Sequence, residues 1–255
     1  MLILTLITPD LYFSPAGSKV LEAFLTITYI DAANGTATRT VIGILALQGA
    51  FVEHQAALEK LPSSIRPEVI LVKTPEELQR CDALIIPGGE STTIALVARL
   101  SGVLHPLKEF IKVKPVWGTC AGAILLSEAV ENAKKGGQEL LGGMSITIAR
   151  NGWGSQVESF EAPLEVDGLR NAEQPFTGVF IRAPVVLKLN PTPTSPPIKV
   201  VSKLSPDLLP PSLSSPDHSG EPKIFVALRQ ELTEDNRFHE YFVKECVLSS
   251  KNQQR

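Results

Sequence analysis

The chain has 255 residues, 44% of them hydrophobic and 20% charged, with a formal net charge of -3, the profile of a soluble globular chain long enough for one large domain or two small ones. No apolar run approaches the ~20 residues of a membrane span, and the lack of a Lys/Arg cluster argues against nucleic acid as a partner. Three cysteines, Cys81, Cys120 and Cys246, are odd in number and widely spaced, which argues against a disulfide framework or a zinc site and for a reducing, cytoplasmic compartment.

In chain order, residues 1–40 mix apolar islands such as Leu2–Ile7 with Pro9 and Pro15, and their only cations are Lys19 and Arg39. A transit peptide would be richer in arginine and a signal peptide would begin with a basic segment, so this reads as an N-terminal extension outside the core. From Val41 onward apolar runs alternate with helical patterns: strand Val41–Leu47, helix Ala50–Lys60, strand Val69–Val72, helix Pro75–Arg80, strand Ala83–Ile86. Continuous apolar strands separated by helices predict a parallel sheet covered on both faces. The expected fold is α/β, three-layer, with a mostly parallel sheet flanked by helices, in a single domain over 41–250. Pro184 and the segment 185–222 hold ten of the twenty prolines and many serines, the composition of an exposed or disordered insertion. Beyond it, Ile224–Leu228 reads as a strand and Thr233–Leu248, with Phe238, Phe242 and Cys246 at helical spacing, as a terminal amphipathic helix.

Two motifs carry chemistry. Gly118-Thr119-Cys120-Ala121-Gly122 follows the apolar run Pro115–Trp117 and precedes the helical run Ala123–Leu126, the pattern of a nucleophile elbow. A reactive side chain at such a turn sits in strained backbone, and its neighbours two residues away must be small to clear the strand and helix. The thiol then lies at a helix N-terminus, where unpaired N–H groups favour a thiolate. Pro87-Gly88-Gly89-Glu90-Ser91-Thr92-Thr93 follows the strand Ala83–Ile86 and so lies at the carboxyl edge of the same sheet, where open α/β sheets bind ligands. Paired glycines let backbone N–H groups face a substrate oxygen, as an oxyanion hole requires. The motif lacks the lysine of a phosphate loop and the three-glycine spacing of a dinucleotide fingerprint.

These segments, together with Gly43–Ala50, Arg150-Asn151, Gln156–Glu161 and Phe176–Pro184, occur in an order that resembles the glutaminase subunits of pyridoxal 5'-phosphate synthase, a class I glutamine amidotransferase family, from about Val41 to Leu248. The resemblance implies that Cys120 attacks the glutamine side-chain amide to give a glutamyl thioester and ammonia. It also implies that Gly88, Gly89, Glu90 and Ser91 hold the substrate and stabilise the oxyanion. Arg150, Ile181 and Arg182 are similar to positions that contact glutamine, and Gln48 to one near the interface with the synthase subunit. That (β/α)8-barrel partner would receive the ammonia for vitamin B6 biosynthesis, so pyridoxal phosphate would be a product of the complex and not a cofactor of this chain.

The chain departs from the family pattern near its end. The family has a further strand ending in Ser-Phe-His-Pro-Glu-Leu-Thr before the last helix; here Val226–Gln230 runs directly into Glu231-Leu232-Thr233. Glu231 matches the acidic member of the catalytic triad, but the histidine that would serve as base has no counterpart, which predicts a catalytically impaired subunit or a strand lost through a gene-model error. Of the four histidines, His54 reads as an exposed or interface residue on the first helix, His105 lies between helix and strand, His218 is in the insertion and His239 is on the last helix; none matches the base. Cys81, Cys246 and Trp117 read as core, Trp153 as packing near the Arg150 loop, and Glu158 and Glu161 as the solvent face of a strand.

Overall fold

The computed structural model of the protein describes residues 6–7, 39–131, 133, 137–150, 160–166, 168–180, 184–193, 195, 198, 200–202, 224–225 and 235–250. Three short parallel βα steps open the domain: β2 (Val41–Leu45), α1 (Phe51–Glu59), β3 (Glu68–Val72), α2 (Pro75–Gln79), β4 (Ala83–Ile86) and α3 (Ser91–Leu100). Helix α4 (Leu104–Phe110) leads to β5 (Val116–Gly118), which turns at Cys120 into α5 (Ala121–Leu126). The start of α2 is written locally, since Thr74 and Glu77 form a reciprocal capping box with Pro75 in the first turn.

The main sheet has β5, β4, β2 and β3 side by side in that order and parallel, with a further short strand, β1 (Leu6–Ile7), beyond β5. Apart from the exposed Glu68 that opens β3, its parallel strands carry no polar side chain, because alternate residues enter two different cores. Ile42, Ile44, Ala83, Ile85 and Trp117 face one layer, with Leu58 of α1 and Phe238, Phe242 and Val243 of the last helix. Leu45, Leu84, Ile86 and Val116 face the other, with Leu78, Ile94, Ala98, Leu107, Phe110 and Ile124. This is the three-layer α/β arrangement expected, with the buried thiols of Cys81 and Cys246 and the indole of Trp117 in the core as read.

The structure differs from the sequence reading in four places. Within residues 1–40, Leu6–Ile7 forms a short strand, β1, that pairs antiparallel with Val116–Trp117 and borders the main sheet, so part of the supposed extension joins the fold. A second sheet, β11-β10-β7-β6, was not anticipated: β6 is Ser127–Glu131, β7 Met144–Ala149, β10 Val185–Leu189 and β11 Ile224–Phe225. Strand β10 lies at the start of the segment 185–222 read as a disordered insertion, yet Val185 and Val186 are buried and the strand is paired on both sides, with β7 and β11. Val201 and Ser202, also in that segment, are buried, and Ser202 bridges to Val166. An antiparallel pair, β8 (Phe160–Leu164) and β9 (Phe176–Phe180), completes the strands, with Glu161 exposed as expected.

The fourth difference is the last helix. It is described from Arg237, not Thr233, as α6 (Arg237–Tyr241) followed by a π-helical stretch over Phe242–Leu248. Asp235 accepts from both the backbone N–H and the guanidinium of Arg237, which starts the helix there. The same guanidinium is buried and donates to the carbonyls of Asn171, Gln174 and Pro175, tying α6 to the loop before β9. Among the described residues, no helix is long and apolar enough to cross a membrane.

Candidate active site

Three loops meet at the carboxyl edge of the main sheet. Ile86 of β4 lies beside Gly118 of β5, so the loop after β4 and the elbow after β5 are neighbours, and the Gln48-Gly49 turn follows β2 on the other side of β4.

At the elbow, Cys120 has φ +46° and ψ -103°, a conformation that L residues avoid and that functional sites retain only where the surroundings hold it. The flanking glycines are required by space. A Cβ on Gly118 would sit 2.5 Å from the carbonyl carbon of Gly122, and one on Gly122 would sit 2.1 Å from the carbonyl oxygen of Ile86. Thr119 fixes the turn from the other side: its N–H donates to Ile86 O at 3.0 Å and its carbonyl accepts from Gly122 N at 2.8 Å. Cys120 is half-buried and caps α5, all six residues of which are buried.

The loop after β4 is held by the turn after β2. Gly49 has φ +105° and a Cβ there would meet Gly88 O at 2.0 Å, so only glycine allows this approach. Ala50 N donates to Gly88 O, and Glu90 N donates to the side-chain oxygen of Gln48 at 2.8 Å. Gln48 thus braces the Gly88–Glu90 loop from within. Ser91 opens α3 with its hydroxyl buried and, among the described residues, without a hydrogen-bond partner. Arg150 reaches across from the end of β7: one guanidinium nitrogen donates to the Glu90 carboxylate at 2.7 Å and another to Gln138 at 2.7 Å. Thr92 donates to the same Glu90 oxygen.

Behind the elbow lies a feature that sequence reasoning missed. His54 is not exposed: it is buried, with Nδ1 2.9 Å from Nε2 of His239 and Nε2 3.1 Å from the hydroxyl of Thr119. Both rings pack edge-on against Trp117, with centroids 5.3 and 4.9 Å away. Burial pulls the His54 pKa down to about 3, and burial together with the neighbouring His54 holds His239 well below the ordinary histidine value. A sequence signal existed. Ala50, His54, Leu58 and Leu61 are all buried and His54 falls in line with them on α1, while His239 shares a stripe with Val243 and Cys246.

The structure therefore brings together Gln48, Gly88, Gly89, Glu90, Ser91, Cys120 and Arg150. Glu231, Ile181 and Arg182 lie outside the described residues, as do Trp153, Glu158 and His218; His105 is exposed on α4. Among the described residues no group of His, Cys, Asp and Glu could hold a metal ion.

Comparison with known proteins agrees with this fold. Residues 44–248 match the model of the SNO glutamine amidotransferase family. The chain is 41% identical over 223 residues to the probable pyridoxal 5'-phosphate synthase subunit PDX2 of Arabidopsis thaliana, covering 80% of this chain and 84% of that one. It is 38% identical to the pyridoxal 5'-phosphate synthase subunit PdxT of Carboxydothermus hydrogenoformans, covering 80% and 96%. A solved structure described as a glutamine amidotransferase is 38% identical, with a TM-score of 0.60 over 80% of this chain and 97% of that one. With the family match over 44–248 and these relatives covered over most of their length, the chain belongs to the SNO glutamine amidotransferase family.

Proposed function

We propose that this chain is the glutamine-hydrolysing subunit of a pyridoxal 5'-phosphate synthase and that Cys120 is its nucleophile. The observation that carries the reading is the backbone of Cys120, held at φ +46° between two glycines that admit no side chain. The thiolate adds to the carboxamide carbon of glutamine, the C–N bond breaks with protonation of the departing nitrogen to ammonia, and water then cleaves the glutamyl thioester to glutamate and free thiol. Glu90 N–H is engaged by Gln48, so oxyanion stabilisation falls to Gly89, and the buried hydroxyl of Ser91, unpartnered among the described residues, suits a polar atom of the substrate. Arg150 and Arg182 serve the substrate carboxylate, for which a guanidinium is the fitting partner, with Gly88 and Ile181 lining the same pocket. Arg150 would exchange a bond to Glu90 or Gln138 to do so. Gln48 lies at the side from which the (β/α)8-barrel synthase subunit receives ammonia. Cys81, Cys120 and Cys246 are joined by no disulfide among the described residues, which suits a reducing cytoplasm.

A second element of the proposal is low turnover. Between His218 and His239 the sequence contains no histidine, so the acid Glu231 has no partner base of the family type, and His54 and His239 are engaged with each other behind the elbow. Loss of a general base costs about 10²–10⁴ in rate. Glutamate release by the purified chain with a synthase subunit is therefore expected to be slower by about that factor than release by the Arabidopsis relative, and to vanish in Cys120→Ala. Release that survives Cys120→Ala would refute the nucleophile; release as fast as the relative's would refute the impairment.

A further inference from the structure

The histidine pair belongs to no step of the reaction above, yet it touches the residue next to the nucleophile. His239 Nδ1 is buried and has no hydrogen-bond partner among the described residues. A buried N–H left unpaired costs more than a bare ring nitrogen left unpaired, so the proton of His239 belongs on Nε2. It is then donated to His54 Nδ1 at 2.9 Å, which places the His54 proton on Nε2, donated to the Thr119 hydroxyl at 3.1 Å. The chain of donors runs one way, from the last helix through α1 to the elbow, with both rings neutral.

We propose that His54 and His239 are positioning residues that hold Thr119, and through it the strained peptide of Cys120, in the reactive arrangement. Thr119 is anchored at three points: its N–H to Ile86, its carbonyl to Gly122 and its hydroxyl to His54. The first two are backbone bonds that any residue could make. The third depends on the side chain and is the only one of these that reaches the other layer of the fold. A non-glycine residue at positive φ stores about 1–3 kcal/mol and persists because its surroundings over-determine it. Removing one anchor lets the Thr119–Cys120 peptide rotate toward a relaxed geometry and turns the thiol from its position at the start of α5. The far end of the relay is fixed separately, since Arg237 ties α6 to the loop before β9 through four carbonyls, so a change at His54 acts on the elbow without freeing the helix.

The inference rests on Cys120 being the nucleophile, and its test reads the thiol directly, whatever the substrate. In the full chain, the alkylation rate of each cysteine by iodoacetamide is followed by mass spectrometry, with the melting temperature measured alongside. His54→Leu, which keeps bulk and removes both hydrogen bonds, is expected to slow alkylation of Cys120 about tenfold while Cys81 and Cys246 remain protected. Thr119→Val should give the same slowing, and the double variant no more than either alone, as expected for two groups acting through one contact. His54→Gln, which can donate to Thr119 and accept from His239, should restore the rate to within about twofold. A folded His54→Leu or Thr119→Val chain whose Cys120 reacts at the parent rate would overturn the proposal, and so would a rise at all three thiols together, which would mark general loosening. Should His54→Leu fail to fold, Thr119→Val alone decides between these outcomes.

Discussion

Lowering the pH from 7 to 5 should destabilise this fold by about 2 kcal/mol through the buried His54 alone, with His239 adding to the loss in the same direction. Burial depresses both pKa values, His54 to about 3 and His239 well below its ordinary value, whereas in the unfolded chain both sit near 6.5. Below pH 6.5 the unfolded state therefore binds protons that the folded state refuses. Stability is complete above 6.5 and falls as the pH drops from there toward the folded-state values, by about 1.4 kcal/mol per pH unit for each ring. Carboxylates do not obscure this window. Glu139, whose pKa is lowered by hydrogen bonds from Lys108 and Arg99, loses most of its contribution below about 4.3, the midpoint of a free glutamate, so only the onset of that loss falls above pH 5. Urea denaturation at pH 7, 6 and 5 would show the effect, and His54→Gln should make the slope shallower. A flat stability between pH 6.5 and 5 would mean that the pair is hydrated or carries a proton in the native state.

The second large effect is expected at Gly122. Its substitution by alanine places a methyl group 2.1 Å from the carbonyl oxygen of Ile86, and backbone, unlike the tip of a flexible side chain, cannot step aside. Helix α5 must move off β4, or the elbow must open. Overpacking of this kind costs about 3 kcal/mol or more, a fall of roughly 6–12 °C in melting temperature for a chain of this size. The proper comparison is Gly102→Ala. That glycine has φ +74° but nothing within 4 Å of its missing Cβ, so only the left-handed conformation is penalised, by about 1–2 kcal/mol. If Gly122→Ala melted no lower than Gly102→Ala, the close approach of α5 to β4 would be wrong.

What the sequence disclosed was whatever depends on neighbours in the chain. Strands β2 and β4 announce themselves as unbroken apolar runs because both their faces are buried, and the elbow does so because its two glycines and its cysteine lie within five residues. What it concealed depends on long-range pairing. Val185–Leu189 is an apolar strand at the head of a proline-rich stretch, and composition averaged over that stretch hid a segment that β7 and β11 stabilise from either side. Strand β6 carries Glu128 and Glu131 on exposed positions at a sheet edge, so neither its polarity nor its length marked it. His54 was misread for a related reason. A histidine on a helix is most often solvated, and its partner His239 is 185 residues away, at a distance no local pattern spans. The apolar stripe running through Ala50, His54 and Leu58 was the available clue, and it identifies a buried polar residue only once a partner for it is known.

The functional account stands on Cys120 lying in a pocket that recognises glutamine, and this can be tested without turnover. A chloroketone analogue of glutamine alkylates a thiolate within its reach, forming a C–S bond with loss of chloride, so it reports the nucleophile and the pocket together even where the general base is absent. Treated with this reagent, the full chain is expected to acquire one adduct, mapped to Cys120, that excess glutamine suppresses and that Cys120→Ala lacks. An adduct on Cys81 or Cys246, or labelling of Cys120 that glutamine leaves unchanged, would contradict the account.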